Sequence, residues 1–168
     1  MNRLVLWTSM ITCAILQAVI PSWQSLGQAK VPLLLGAVLY YALSRDSLQV
    51  LEAAILAGIL QDSLGPIPHG FSVLAFTAVA LLINHYRDRV FGEHWFTHVM
   101  MGVAASALVT LLLYVLLVGA GLRGGVPFSF VLTKSLGMSL LGIVVFPLVF
   151  AAIRKLDLAV GNQTRAGI

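Results

Sequence analysis

What most constrains this chain is the recurrence of apolar runs from one end to the other, each separated from the next by only a few polar residues. A helix needs roughly 20 predominantly apolar residues to cross a bilayer. Six runs approach that length, at residues 4–20, 31–43, 48–65, 70–86, 96–119 and 127–153. Of the 168 residues, 60% are hydrophobic and 10% charged, whereas a soluble domain keeps about a quarter of its residues charged. No stretch between the runs is long enough for a soluble domain. The sequence therefore predicts an all-α, polytopic membrane protein, a single integral-membrane domain over residues 1–168 with about six transmembrane helices. Ser25-Leu26-Gly27 after the first run loosely fits a signal-peptidase site. That run exceeds the usual ~7–15-residue core of a signal peptide, and further spans follow it, so a retained first helix is expected.

The second run is the shortest, and it must borrow flanking residues, sit where the bilayer is thinned, or be broken. Pro32 near its start suits a first helical turn. In the last run Gly137, Gly142 and Pro147 predict a kinked or tilted helix. Placing the N-terminus in the cytoplasm puts Arg3, Arg45, Arg87, Arg89, Arg154, Lys155 and Arg165 on the inner side, leaving Lys30, Arg123 and Lys134 outside or near that face. This asymmetry obeys the positive-inside rule and predicts an even number of spans with both termini cytoplasmic. The net charge of +4 is thereby a matter of topology, and the scattered cations form no patch for nucleic acid. Trp7, Trp23, Tyr86, Phe91, Trp95 and Phe96 read as interfacial anchors. The segment Asn84 to His98 is either a short amphipathic stretch along the inner leaflet or an ordinary solvated loop.

Polarity looks deliberate in one stretch, Leu48 to Gly70. At ~100° per residue, Leu51, Ala54, Asp62 and Gly65 all fall within about 40° of Gly58, while Glu52 lies well off that stripe. Small residues let another helix approach closely in lipid, and a carboxylate on the same stripe needs a partner or a wet cavity. Ala54, Gly58, Asp62 and Gly65 are therefore the candidate helix-packing or partner-binding residues. Asp62 has three readings: an ion pair with Lys134 or Arg123, a ligand or ion site involving Asp62 and Lys134, or a helix-end group reaching headgroup water. A second copy of the chain is another candidate occupant of the small-residue faces.

Chemistry is scarce elsewhere. The lone Cys13 excludes an intramolecular disulfide, and phosphate-binding glycine loops, HExxH and Gly-x-Ser-x-Gly are all missing from the sequence. His94 and His98, spaced i, i+4 beside Glu93, could in principle share a metal, but next to Trp95 and Phe96 they are better explained as interfacial anchors. No enzyme activity, cofactor or metal is expected.

Val31-Pro32-Leu33-Leu34-Leu35, the charged break Arg45-Asp46, then Gly58-Ile59-Leu60-Gln61-Asp62-Ser63-Leu64-Gly65 and a Pro/Gly turn resemble the MreD family of bacterial rod shape-determining membrane proteins. The likeness covers nearly the whole chain in length and span order. Where family members carry a second Leu-Gly, this chain has Pro66, Ile67, Pro68, His69 and Gly70. The resemblance implies a non-enzymatic inner-membrane subunit of the cell-elongation machinery. It would bind MreC and act with MreB, RodA and a penicillin-binding transpeptidase to guide peptidoglycan synthesis. It also implies a fold similar to the substrate-binding subunits of energy-coupling-factor vitamin transporters. That similarity supplies an alternative, a small-molecule-binding transporter subunit, for which Trp23, Gln24, Gln28, His69 and Arg123 would gather at the outer face.

Overall fold

A computed structural model of the chain describes residues 3–21, 30–65, 70–90, 95–121 and 128–159, with the side chains of 88–90, 95–98, 128 and 130 outside that description. The expectations for Trp23, His69, Phe91, His94, Trp95, Phe96, His98 and Arg123 therefore fall outside what is described. Among the described residues the chain forms six helices: α1 (Arg3–Val19), α2 (Leu33–Ser44), α3 (Ser47–Ser63), α4 (Phe71–Val90), α5 (Trp95–Gly119) and α6 (Phe128–Ala159). Each corresponds to one predicted run, with two differences of consequence. Helix α4 continues past residue 86, and α6 continues past residue 153 through Arg154-Lys155, a pair that reads in sequence as a boundary. Two of the helices contain stretches long and apolar enough to cross a membrane, Val99–Gly119 and Val131–Ala159.

Helix α2 occupies the middle and packs against α1, α3, α4, α5 and α6. Every residue from Leu34 to Ala42 is buried. A helix apolar on all sides has no preferred face and belongs in an interior, which explains why the run that is weakest as an independent span is the centre of the bundle. At ~1.5 Å per residue its twelve residues reach only ~18 Å, well short of a ~30 Å hydrocarbon core. Enclosed by longer neighbours, it does not have to bridge that distance alone. The outer surface is apolar as well, with Ile11 and Ile15 on α1, Leu111 and Val115 on α5, and Leu136 and Leu140 on α6 all exposed. Such a bundle can bury its outward side chains only in lipid or against another protein.

The register of α6 is set by Phe146, whose ring is fully buried. A Cβ added at Gly102 of α5 or at Gly142 of α6 would collide with this ring, and one at Gly36 of α2 would lie 3.2 Å from it. Three glycines thus form the socket for one aromatic side chain, and Pro147 follows directly inside the same helix. Overpacking such a contact costs about 1–3 kcal/mol. Gly102→Val should therefore lower the thermal midpoint of the detergent-solubilised protein by several degrees, followed by size-exclusion chromatography after heating. Gly119→Ala, where nothing lies within 4 Å of the added methyl, should leave the midpoint close to the parent.

Candidate functional site

The stripe on α3 faces α4. Ala54, Gly58 and Asp62 are buried, and a Cβ at Gly58 would lie 2.7 Å from the backbone nitrogen of Val73. The two backbones approach closely because Gly58 has no side chain. One turn further on, Asp62 reaches the start of α4. Its Oδ2 accepts the N–H of Gly70 at 2.6 Å and its Oδ1 the N–H of Ser72 at 3.1 Å. Gly70 has φ of +105°, a conformation that glycine adopts without strain, and from there the chain enters α4. The carboxylate thus caps the helix of its neighbour, satisfying N–H groups that no intrahelical carbonyl can reach and placing negative charge at the positive end of the helix dipole. Gly65 lies in the turn beyond α3, and its N–H points to the Asp62 carbonyl at 3.4 Å. Lys134 lies on α6, a helix that does not pack against α3. The structure therefore brings Asp62 to the first turn of α4 and not to Lys134. Glu52, off the stripe, lies 3.9 Å from exposed Arg3.

Two further polar groupings are absent from the sequence-based site. Near the start of α2, Gln17 of α1 is buried. Its Oε1 accepts the N–H of Leu34 at 3.1 Å and its Nε2 donates to Gln61 of α3 at 2.7 Å. Close by, Lys30 Nζ donates to the carbonyl of Leu64 at 3.3 Å, beyond the last turn of α3.

At the other end, Arg45 Nη2 meets Asp157 Oδ2 at 2.8 Å, with side chains 8% and 1% exposed, and Tyr40 donates its hydroxyl to the same oxygen at 2.7 Å. Asn84 of α4 donates to the carbonyls of Ala42 (2.7 Å) and Arg45 (3.2 Å) and accepts from Ser47 at 3.0 Å. Arg87 also donates to the Arg45 carbonyl. The C-terminal carbonyls of α2, left without intrahelical donors, are thus met by side chains of α4, while α6 supplies the counter-charge. A sequence signal for Asp157 existed. Phe146, Val149, Ile153 and Asp157 are all buried, and their spacing of three, four and four places the aspartate on the inward face of α6.

A buried ionisable residue in a membrane protein is a functional candidate by default. Here Gln17, Arg45, Asp62, Asn84, Arg87 and Asp157 act on helix ends, on one another and on backbone carbonyls. That chemistry fixes how helices sit; it does not by itself offer a nucleophile or an acid and base pair to a substrate.

An all-helical bundle, apolar inside and out and tied at both ends by buried polar groups, defines a membrane protein whose built features are structural. A family model described as rod shape-determining protein MreD matches residues 1–156, and the chain belongs to the MreD family of bacterial membrane proteins. Neither the curated proteins nor the solved structures compared with it give a match.

Breaking a buried pair by removing one partner typically costs about 3–5 kcal/mol, whereas replacing both by apolar groups is often close to neutral. Asp157→Leu alone should therefore destabilise strongly, and Arg45→Met combined with Asp157→Leu should recover much of the loss. A double-mutant cycle on detergent unfolding midpoints checks this. Asp62→Asn should cost about 1–3 kcal/mol, because an amide cannot accept with both of its polar atoms and one buried N–H loses its acceptor. The same unfolding measurement, with exposed Leu74→Ala as control, reads it.

Proposed function

We propose that this protein is a non-enzymatic membrane subunit of the bacterial cell-elongation machinery. It binds an MreC-type membrane protein and, indirectly, acts with MreB, RodA and a penicillin-binding transpeptidase to control cell shape and peptidoglycan synthesis. The observation that carries this reading is the family match over residues 1–156. Physical support comes from the use of the buried polar side chains to join helices to one another, as expected of a subunit that acts by holding a shape.

The reading includes six crossings of the inner membrane with both termini in the cytoplasm. Its support is the distribution of arginines and the even number of helices among the described residues. It also includes kinship in fold with the substrate-binding subunits of energy-coupling-factor transporters. Reporter fusions after Arg45, Arg89 and Asn162 should give cytoplasmic signals, and fusions after Pro68 and Gly124 outside signals. An outside signal at Asn162 would refute the topology.

The functional test is crosslinking in native membranes combined with depletion in a rod-shaped cell. A single-span membrane protein of the MreC type should be captured, and depleted cells should become round. Capture of transporter ATPase and coupling subunits, with lost vitamin uptake and normal cell shape, would instead establish the transporter reading.

A further inference from the structure

Helix α1 packs on α2 and α3 but barely meets α6, and a groove of about 240 Å³ lies between α1 and α6. Its hydroxyls are already engaged. Ser9 bonds to the Leu6 carbonyl and to Tyr41 at 2.9 Å each, and Thr12 donates to the carbonyl of Thr8 at 2.7 Å. The wall presented to an occupant is therefore hydrocarbon. Its exposed rim is Leu16, Leu148 and Leu156, so the groove opens sideways among lipid-facing side chains.

The wall that α6 presents favours a flexible chain over a partner helix. Close helix packing in membranes uses small residues on both faces that let backbones approach; α1 lines the groove with Ser9, Thr12 and Cys13, but α6 answers with Leu148, Val149, Ile153 and Leu156 and a single small side chain, Ala152. An acyl chain is narrow enough and can bend around the leucines.

The charge beside the groove selects the headgroup. At ~100° per residue, Lys155 falls about 20° from Leu148 and one turn beyond Ala152, on the border of the groove-lining face of α6. It is exposed, and its aliphatic stem can follow the apolar wall while the ammonium stays at the membrane surface. A basic residue at the mouth of an apolar groove attracts anionic lipid headgroups. We propose that the α1/α6 groove holds one acyl chain of an anionic phospholipid, with its phosphate at Lys155.

The test uses the full chain in vesicles containing phosphatidylglycerol or phosphatidylcholine with a diazirine midway along one acyl chain, the labelled peptides being mapped by mass spectrometry. The phosphatidylglycerol probe should label residues 9–16 and 148–156 above the background seen around Leu111, and about fivefold more than the phosphatidylcholine probe, the preference conferred by one basic residue at an anionic headgroup. Ala152→Trp should abolish groove labelling and spare the background. Lys155→Gln, at an exposed position that folding does not depend on, should remove the headgroup preference even if the tryptophan variant fails to fold. Even labelling of the outward faces of α1, α5 and α6, equal labelling by the two probes, or a polypeptide crosslinked in the groove in native membranes would each overturn the proposal.

Discussion

A helix buried at both ends inside a protein cannot leave its terminal N–H and C=O groups to water, and α2 is such a helix. It is too short to carry its ends to the headgroups on both sides, so its neighbours must answer its terminal backbone groups. Gln17 of α1 takes the N–H of Leu34, and Asn84 and Arg87 of α4 meet the carbonyls of Ala42 and Arg45. In hydrocarbon each such group left unmatched would cost several kcal/mol. The surrounding helices are therefore bound to α2 through directional bonds at its ends as well as through packing along its sides.

The pairing of Arg45 with Asp157 belongs to the same logic but adds specificity. A buried ion pair is weak grounds for stability, because desolvating two charges offsets most of their attraction. What it does well is reject alternatives, since a slip of α6 along α2 would leave both charges unpaired. Phe146 restricts the same slip through shape, its ring being seated among glycines of α2, α5 and α6. The two devices lie eleven residues apart on α6, roughly 16 Å along the helix axis, so together they fix both its height and its rotation.

Periodicity makes some of this legible in sequence. Six helices follow from the apolar runs, and the spacing of Ala54, Gly58 and Asp62 is enough, by helical geometry alone, to place them on one face. Periodicity is a property of one helix, however, and does not name the helix opposite. A carboxylate among apolar residues invites a search for a cation, which points to Lys134, while the N–H groups at the start of α4 that Asp62 engages have no sequence letter of their own. Asp157 and Arg45 are missed for a different reason. Arg154-Lys155 and Arg45-Asp46 look like solvated breaks, yet α6 runs on through the first, and in the second Asp46 is exposed while Arg45 turns inward and is buried. Gln17 offers no sequence cue beyond being a lone amide in an apolar run, where an interhelical hydrogen bond is the ordinary explanation.

This division of labour bears on how such a subunit would recognise a partner. The buried Gln17, Arg45, Asp62, Asn84 and Asp157 at the two ends of the bundle are engaged in joining its own helices, and the exterior of α1, α5 and α6 is largely aliphatic. For a partner that crosses the membrane once, as proposed, selectivity would then depend on the fit of side chains within lipid and on the connecting segments, because surrounding lipid is as apolar as the leucines it would displace. Fit of that kind requires a surface that does not shift. The internal bonds that hold α2 to its neighbours and α6 in register are what would keep the outward leucines in fixed positions, so features without any contact to a partner would still determine whether one binds.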